Sequence, residues 1–222
     1  FYGSHIINCA GNGGALVIND DKVMKRAKLL RSWGRSSSLF DEDSEKIENR
    51  FNIKLQGIDY DAKYVFEKIG YNLEGNEVGA AFGLAQLEKL NTNIKIRREN
   101  FNRQCDFFSK YPNYFSNPEE IKGTQTAWLA FPLLIKKNAP FKRKEMQIYL
   151  EKQNIQTRVV FTGNVMRQPM CNGINFKVVD GGCPNADEVM RFGILLPVHH
   201  GLTEKMFNRF YSTIDKFISK YC

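Results

Sequence analysis

From residue 124 to the end of the chain, the hydrophobic period switches repeatedly between alternation and helical spacing. "TAWLAFPLLIKK" reads as a strand, "KRKEMQIYLEKQ" as a helix, "IQTRVVF" as a strand and "ADEVMRF" as a helix. The short apolar strand "GILLPV" and the closing helix "EKMFNRFYSTIDKFISKY" complete the series. A chain that alternates in this way folds as a sheet with helices packed on one face, an α+β sandwich. The basic helix 93–111 precedes this region, and Pro112, Pro118 and Gly123 break the chain between them. That break sets an expected domain boundary, with 1–114 ending in a connecting helix and 115–222 forming the small α+β domain.

The first half is less regular. "HIINCAGNGGALVIN" is expected to form two short strands joined at the glycines. "DDKVMKRAKLLRSWG" opens on an aspartate cap and runs as a helix to a stop at Gly34. Beyond it, 35–68 decays into Ser36-Ser37-Ser38 and the acidic stretch "DEDSEKIEN", a loop long enough to be functional. "NEVGAAFGLAQLEKL" returns to helix, and its small residues allow another backbone to lie close. It is expected to be buried, as at a subunit interface.

Composition narrows the function classes. The 222 residues include enough apolar and aromatic side chains to bury a core. No apolar run approaches the roughly 20 residues of a membrane-spanning helix, so no membrane partner is expected. Cys9, Cys105, Cys171, Cys183 and Cys222 show neither metal-ligand spacing nor an even disulfide set, which fits a reducing cytoplasm and no metal site. The net charge of +8 is spread along the chain, and 95–103 and 136–144 read as solvated faces. No nucleic-acid-binding motif accompanies them.

Four places can carry chemistry. "AGNGG" is neither GxGxxG nor a phosphate loop, and locally a tight turn is the better reading. His5, just upstream, is by itself either a packed histidine or a catalyst. His199-His200, between a strand and a helix, lines either a pocket or an ordinary loop. "TRVVFTGNVMRQP" puts Arg158, Asn164 and Arg167 on one loop, and a guanidinium fork suits phosphate or carboxylate oxygens.

"FYGSHIINCAGNGGALVIND", "LLRSWGR", "KYVFEKIGYNLEGNEVGAAFGLAQLEKL", "TRVVFTGNVMRQP" and "LLPVHHGLT" occur in the order and spacing of one family. Together they resemble the nucleotide-sugar aminotransferases and dehydratases of DegT/DnrJ/StrS type. The resemblance implies an α/β chain of the aspartate aminotransferase (PLP fold type I) class. It also implies that these residues are the C-terminal part of a longer enzyme: the end of the large domain, then the small α+β domain. The family's cofactor-ring partners lie upstream of the motif that contains His5.

In the aminotransferase branch a lysine stands at the position of His5 and bonds covalently to the cofactor. Histidine has no primary amine, so the resemblance implies non-covalent pyridoxamine or pyridoxal 5'-phosphate, with His5 as catalytic base near neutral pH. That pattern resembles the 4-keto-6-deoxy-sugar 3-dehydratases of lipopolysaccharide and other deoxysugar pathways. The loop after "WGR" holds no cysteine, so no iron-sulfur cluster is expected and the redox-neutral reaction is favoured. Glutamate is the implied amino donor. By the same resemblance Asn72 reaches the partner subunit's cofactor in a homodimer, and Gly13 keeps side chains off the cofactor loop. Arg158, Asn164, Arg167, His199 and His200 face the nucleotide sugar. The alternatives are an aminotransferase relative, or a fragment that binds no cofactor alone.

Overall fold

In a computed structural model, which describes residues 1–3 and 5–221, the chain forms two compact units, Phe1–Leu87 and Glu88–Cys222. Ser4 and Cys222 lie outside the described residues, and the other four cysteines are free thiols.

The first unit is built on two helices. α1 (Asp21–Arg31) starts where the sequence predicts, because Asp20 Oδ1 accepts hydrogen bonds from the N–H groups of Lys22 (2.8 Å) and Val23 (3.0 Å). Its C-terminal turn is held by the 71–73 segment: Tyr71 N–H donates to Leu30 O (2.7 Å) and Leu73 N–H to Arg31 O (2.9 Å). Gly34, at φ +81°, lies directly against the Lys68 carbonyl, where any Cβ would collide. Between them the long loop contains a one-turn helix α2 (Ile47–Arg50) and a hairpin of β1 (Ile53–Leu55) and β2 (Ile58–Tyr60), turned at Gln56-Gly57. Arg50 and Asp61 pair across its base, and this holds the Asp61 carboxyl down at about 2.

Two expectations for this unit need correction. The strands predicted in 5–19 do not form; the segment bends as far as residue 11 and then runs without regular structure up to α1. Its backbone finds no neighbouring strand in this unit to complete a ladder, and apolar alternation alone does not hold an isolated strand. α3 (Glu77–Glu88) is a helix as predicted but is not a buried one. Only Gly79 and Gly83 are buried, while Val78, Phe82, Leu84 and Leu87 are exposed. The small residues nevertheless do what their size allows: a Cβ on Gly83 would lie 2.7 Å from Cys9 Sγ, so the 1–14 loop docks on α3 through Cys9.

The second unit contains the main core. Its sheet has the order β3 (Phe115–Ser116), β4 (Phe131–Ile135), β6 (Gly193–Leu196), β5 (Arg158–Val159), all antiparallel. Phe131, Leu133 and Ile135 alternate inward from β4 and meet Ile194 and Leu196 of β6. Onto them pack Phe101, Phe107 and Phe108 of α4 (Leu90–Phe108) and Met146 and Leu150 of α5 (Arg143–Lys152). Phe210, Ile214, Phe217 and Ile218 of α7 (Glu204–Ile218) close that layer. α6 (Pro184–Phe192) departs from the predicted one-sided cover: its Val189 lines one cleft with Pro132 and Leu134, the opposite side chains of β4.

The sequence reading divides the chain at 114/115, whereas compactness divides it at 87/88. The difference is α4. As a connector it would show a polar surface, but its Phe101, Phe107 and Phe108 bury 93–99 % of their surface in the second unit's core.

Candidate functional site

In the first unit, the segment carrying His5 folds back on itself. Phe1 N–H donates to Gly13 O (2.7 Å), Gly3 N–H to Gly11 O (3.0 Å) and Cys9 N–H to Phe1 O (3.1 Å). His5 N–H donates to Tyr2 O (2.9 Å), and its imidazole stands edge-on to the Tyr2 ring, 5.7 Å between centroids. The side chain is exposed. Gly11 and Gly14 face open space, whereas a Cβ on Gly13 would lie 3.2–3.3 Å from Phe1 and Cys9. Gly13 therefore secures the loop closure from within. Asn72 is exposed and its backbone bridges to Ser32. It does not cap α3; Asn76 does, its Oδ1 accepting from Gly79 N–H (2.6 Å).

In the second unit, Arg158 lies exposed on β5 with its guanidinium on Thr157 O (2.7 Å). Asn164 and Arg167 are brought together by a residue the sequence reading missed, Asp187 in the first turn of α6. Arg167 makes a two-pronged pair with it (2.5 Å and 2.5 Å). Asn164, 4 % exposed, donates to Asp187 Oδ1 (2.8 Å) while its own Oδ1 accepts from Met166 N–H (3.1 Å). Arg167 and then Asn164 hold the Asp187 carboxyl well below the usual carboxylate range. These residues, with Met166, Phe176 and Cys183, line an open cleft of about 430 Å³. An acidic residue in the first turn of a helix was the available signal, but nothing in the sequence tied it to an arginine twenty positions earlier.

His199 and His200 form the turn after β6 and are exposed at its outer edge. Their inner edges are packed: burial first, then the charge of Arg97, lowers both imidazoles from their ordinary value, with His200 adding to the effect on His199. Arg97 is the second missed residue. It is 4 % exposed and gives NH1 to Trp128 O (3.0 Å) and Leu129 O (3.3 Å), with no carboxylate paired to it among its hydrogen bonds. Its place was legible, since positions 97, 101, 104 and 108 form one helical stripe. Among the described residues no His/Cys/Asp/Glu group could hold a metal ion, and no helix is long and apolar enough to cross a membrane.

Comparison with known proteins gives this geometry a context. The chain is 29 % identical to the lipopolysaccharide biosynthesis protein RfbH of Salmonella typhimurium, covering 98 % of this chain and 50 % of that one. It is also 29 % identical to dTDP-4-dehydro-2,6-dideoxy-D-glucose 3-dehydratase of Saccharopolyspora spinosa, covering 99 % and 47 %. Among solved structures, Escherichia coli GDP-4-keto-6-deoxy-D-mannose-3-dehydratase with bound hydrated PLP superposes with a TM-score of 0.70 at 22 % identity, covering 89 % of this chain and 48 % of that one. This chain thus spans about half the length of the relatives it matches, and its α/β fold is that of the corresponding part of an aminotransferase-type enzyme. The DegT/DnrJ/EryC1/StrS aminotransferase family model matches residues 1–215, and the chain belongs to that family.

Proposed function

We propose that this chain is the C-terminal part of a pyridoxamine-phosphate-dependent 3-dehydratase acting on a nucleotide-linked 4-keto-6-deoxy sugar, with His5 as its base. The observation that carries the reading is the exposed imidazole of His5, which the family resemblance sets at the position of the aminotransferase lysine. Relatives named as 3-dehydratases support it. The family also includes aminotransferases, and an aminotransferase is the competing reading.

The residues present fit one edge of the cofactor. Open space beside Gly11 and Gly14 lets a planar ligand approach the backbone, and His5 is exposed within the same loop. Asn72 is free at the surface to reach a partner subunit's cofactor phosphate in a homodimer. When bound, pyridoxamine phosphate supplies an amine for the sugar ketone and a ring that accepts electrons. His5 can take and return a proton at a ring nitrogen but has no primary amine to bond covalently to the cofactor. In the second unit, Arg158 offers a guanidinium to the nucleotide sugar, Arg167 is aimed by Asp187, and Asn164 holds the loop that carries Arg167. His199 and His200 offer hydrogen bonds to the sugar.

Product analysis separates the readings. Dehydration with glutamate as amino donor converts the sugar into its 3-deoxy-4-ketone and releases one ammonia and one 2-oxoglutarate per turnover. The oxygen lost from the sugar is balanced by the one gained by 2-oxoglutarate. Transamination releases 2-oxoglutarate but no ammonia and leaves a 4-amino sugar with its C3 oxygen. Ammonia equal to 2-oxoglutarate supports the proposal; an ammonia-free 4-amino product contradicts it.

A further inference from the structure

The turn after β6 is held more firmly than a surface loop requires. One stripe of α4 grips it through backbone carbonyls. Gln104 Nε2 donates to Pro197 O (2.9 Å), and Asn100 Nδ2 donates to His199 O (3.0 Å) and Val198 O (3.4 Å). Gln104 and Asn100 are 0 % and 8 % exposed. Arg97, one turn earlier on the same stripe, is anchored on the carbonyls of Trp128 and Leu129, and its charge adds to burial in lowering both imidazoles. Within the turn, His199 Nδ1 accepts a hydrogen bond from Gly201 N–H (3.1 Å).

A backbone N–H can only donate. The ring nitrogen that accepts from it must carry a lone pair, so the proton of a neutral His199 sits on Nε2. Protonating Nδ1 would set two donors against each other and place a second cation beside Arg97. The remaining charged groups around the turn do not offset this. Glu204, at the start of α7, is committed to Arg103 of α4 (2.5 Å and 2.8 Å), and His200 is itself a base.

We propose that His199 is held as the neutral tautomer with its proton on Nε2, so that it meets a ligand oxygen as a hydrogen-bond donor rather than as a base. The Gly201 N–H enforces this state, in a turn that Asn100 and Gln104 hold in place through its carbonyls. The assignment divides the labour between the histidines: His5 moves protons, and His199 keeps its own. The inference rests on the proposed sugar site only for the identity of the oxygen; the tautomer stands on the turn itself.

The test needs no ligand. The chain has three histidines, so histidine-selective ¹⁵N labelling gives a spectrum that His199→Asn and His5→Asn assign. His199 should show one protonated nitrogen, Nε2, at neutral pH and titrate with a midpoint below 6.5, its ordinary value. Arg97→Met should raise that midpoint, and Arg97→Lys, which keeps the charge, should leave it low. A proton on Nδ1, or a wild-type midpoint at or above 6.5, overturns the proposal. If Arg97→Met does not fold, the wild-type tautomer and midpoint still decide. Failure here leaves the ammonia stoichiometry untouched, so the two readings fail separately.

Discussion

Asn164→Ala should damage the second unit through its fold before it damages any ligand contact. Asn164 Oδ1 caps the turn at Met166, and an Asn-to-Ala change at a cap costs about 1 kcal/mol. Its Nδ2 donates to a carboxylate from a site only 4 % exposed, and losing one such hydrogen bond adds roughly 1 kcal/mol more. A total of about 2 kcal/mol, against a urea m-value of about 2 kcal/mol/M for a domain of this size, moves the unfolding midpoint down by about 1 M. Urea titration followed by Trp128 fluorescence reads it, because that ring is stacked on Phe101 inside this unit at 4.0 Å. A Trp33→Phe background removes the other tryptophan. Asn164→Asp keeps the cap oxygen but sets a carboxylate against Asp187, so it should be destabilised at neutral pH and recover as the pH falls towards 4. An unchanged midpoint in Asn164→Ala would refute the structural role and return Asn164 to direct ligand binding.

Gly83→Val drives a side chain into Cys9 Sγ, and thiol-reactive dye should label Cys9 several-fold faster than in the parent; equal rates would show that the 1–14 loop is not docked on α3. Phe108→Ala, 1 % exposed and packed on Phe107, Phe115 and Phe131, should cost about 3–5 kcal/mol in the same urea titration. The carboxyls of Glu120, Glu151, Asp187 and Glu204 are held below their ordinary values of 4.5 and 3.8 by hydrogen-bond partners. Depressed folded-state values stabilise above the ordinary range and are lost as the pH falls through it, so the melting temperature should be level near neutrality and drop below about pH 4.5. No drop would contradict those pairings. Arg167→Ala should raise KM for the nucleotide sugar and lower the melting temperature only modestly, since the Arg167 side chain is 56 % exposed and its pair with Asp187 is screened by solvent.

The second unit was legible because its helices and strands bury their stripes against one another, so period alone located β4, α5, α6, β6 and α7. β3 escaped because two residues carry no period. The first unit was legible only where local chemistry decides the outcome: the Asp20 cap, the Gly34 stop and the small residues of α3. Strand propensity in 5–19 misled, because pairing depends on a neighbour that alternation does not supply. The site was readable one residue at a time, through the histidine at position 5 and the arginines of the 157–169 loop. Its couplings were not. Arg97 was read as part of a solvated run although its spacing with Phe101 and Phe108 placed it on the buried stripe. The pairing of Arg167 with Asp187 depends on how α6 packs across the sheet, which no local pattern encodes.

His5 is proposed as a base that does not anchor its cofactor. In the protein that carries this chain, His5→Asn should leave pyridoxamine phosphate binding within a few-fold of the parent and slow sugar 3-dehydration by about 10²- to 10⁴-fold, the usual size of a general-base contribution. Turnover of the His5→Asn protein within a few-fold of the parent would contradict the central claim.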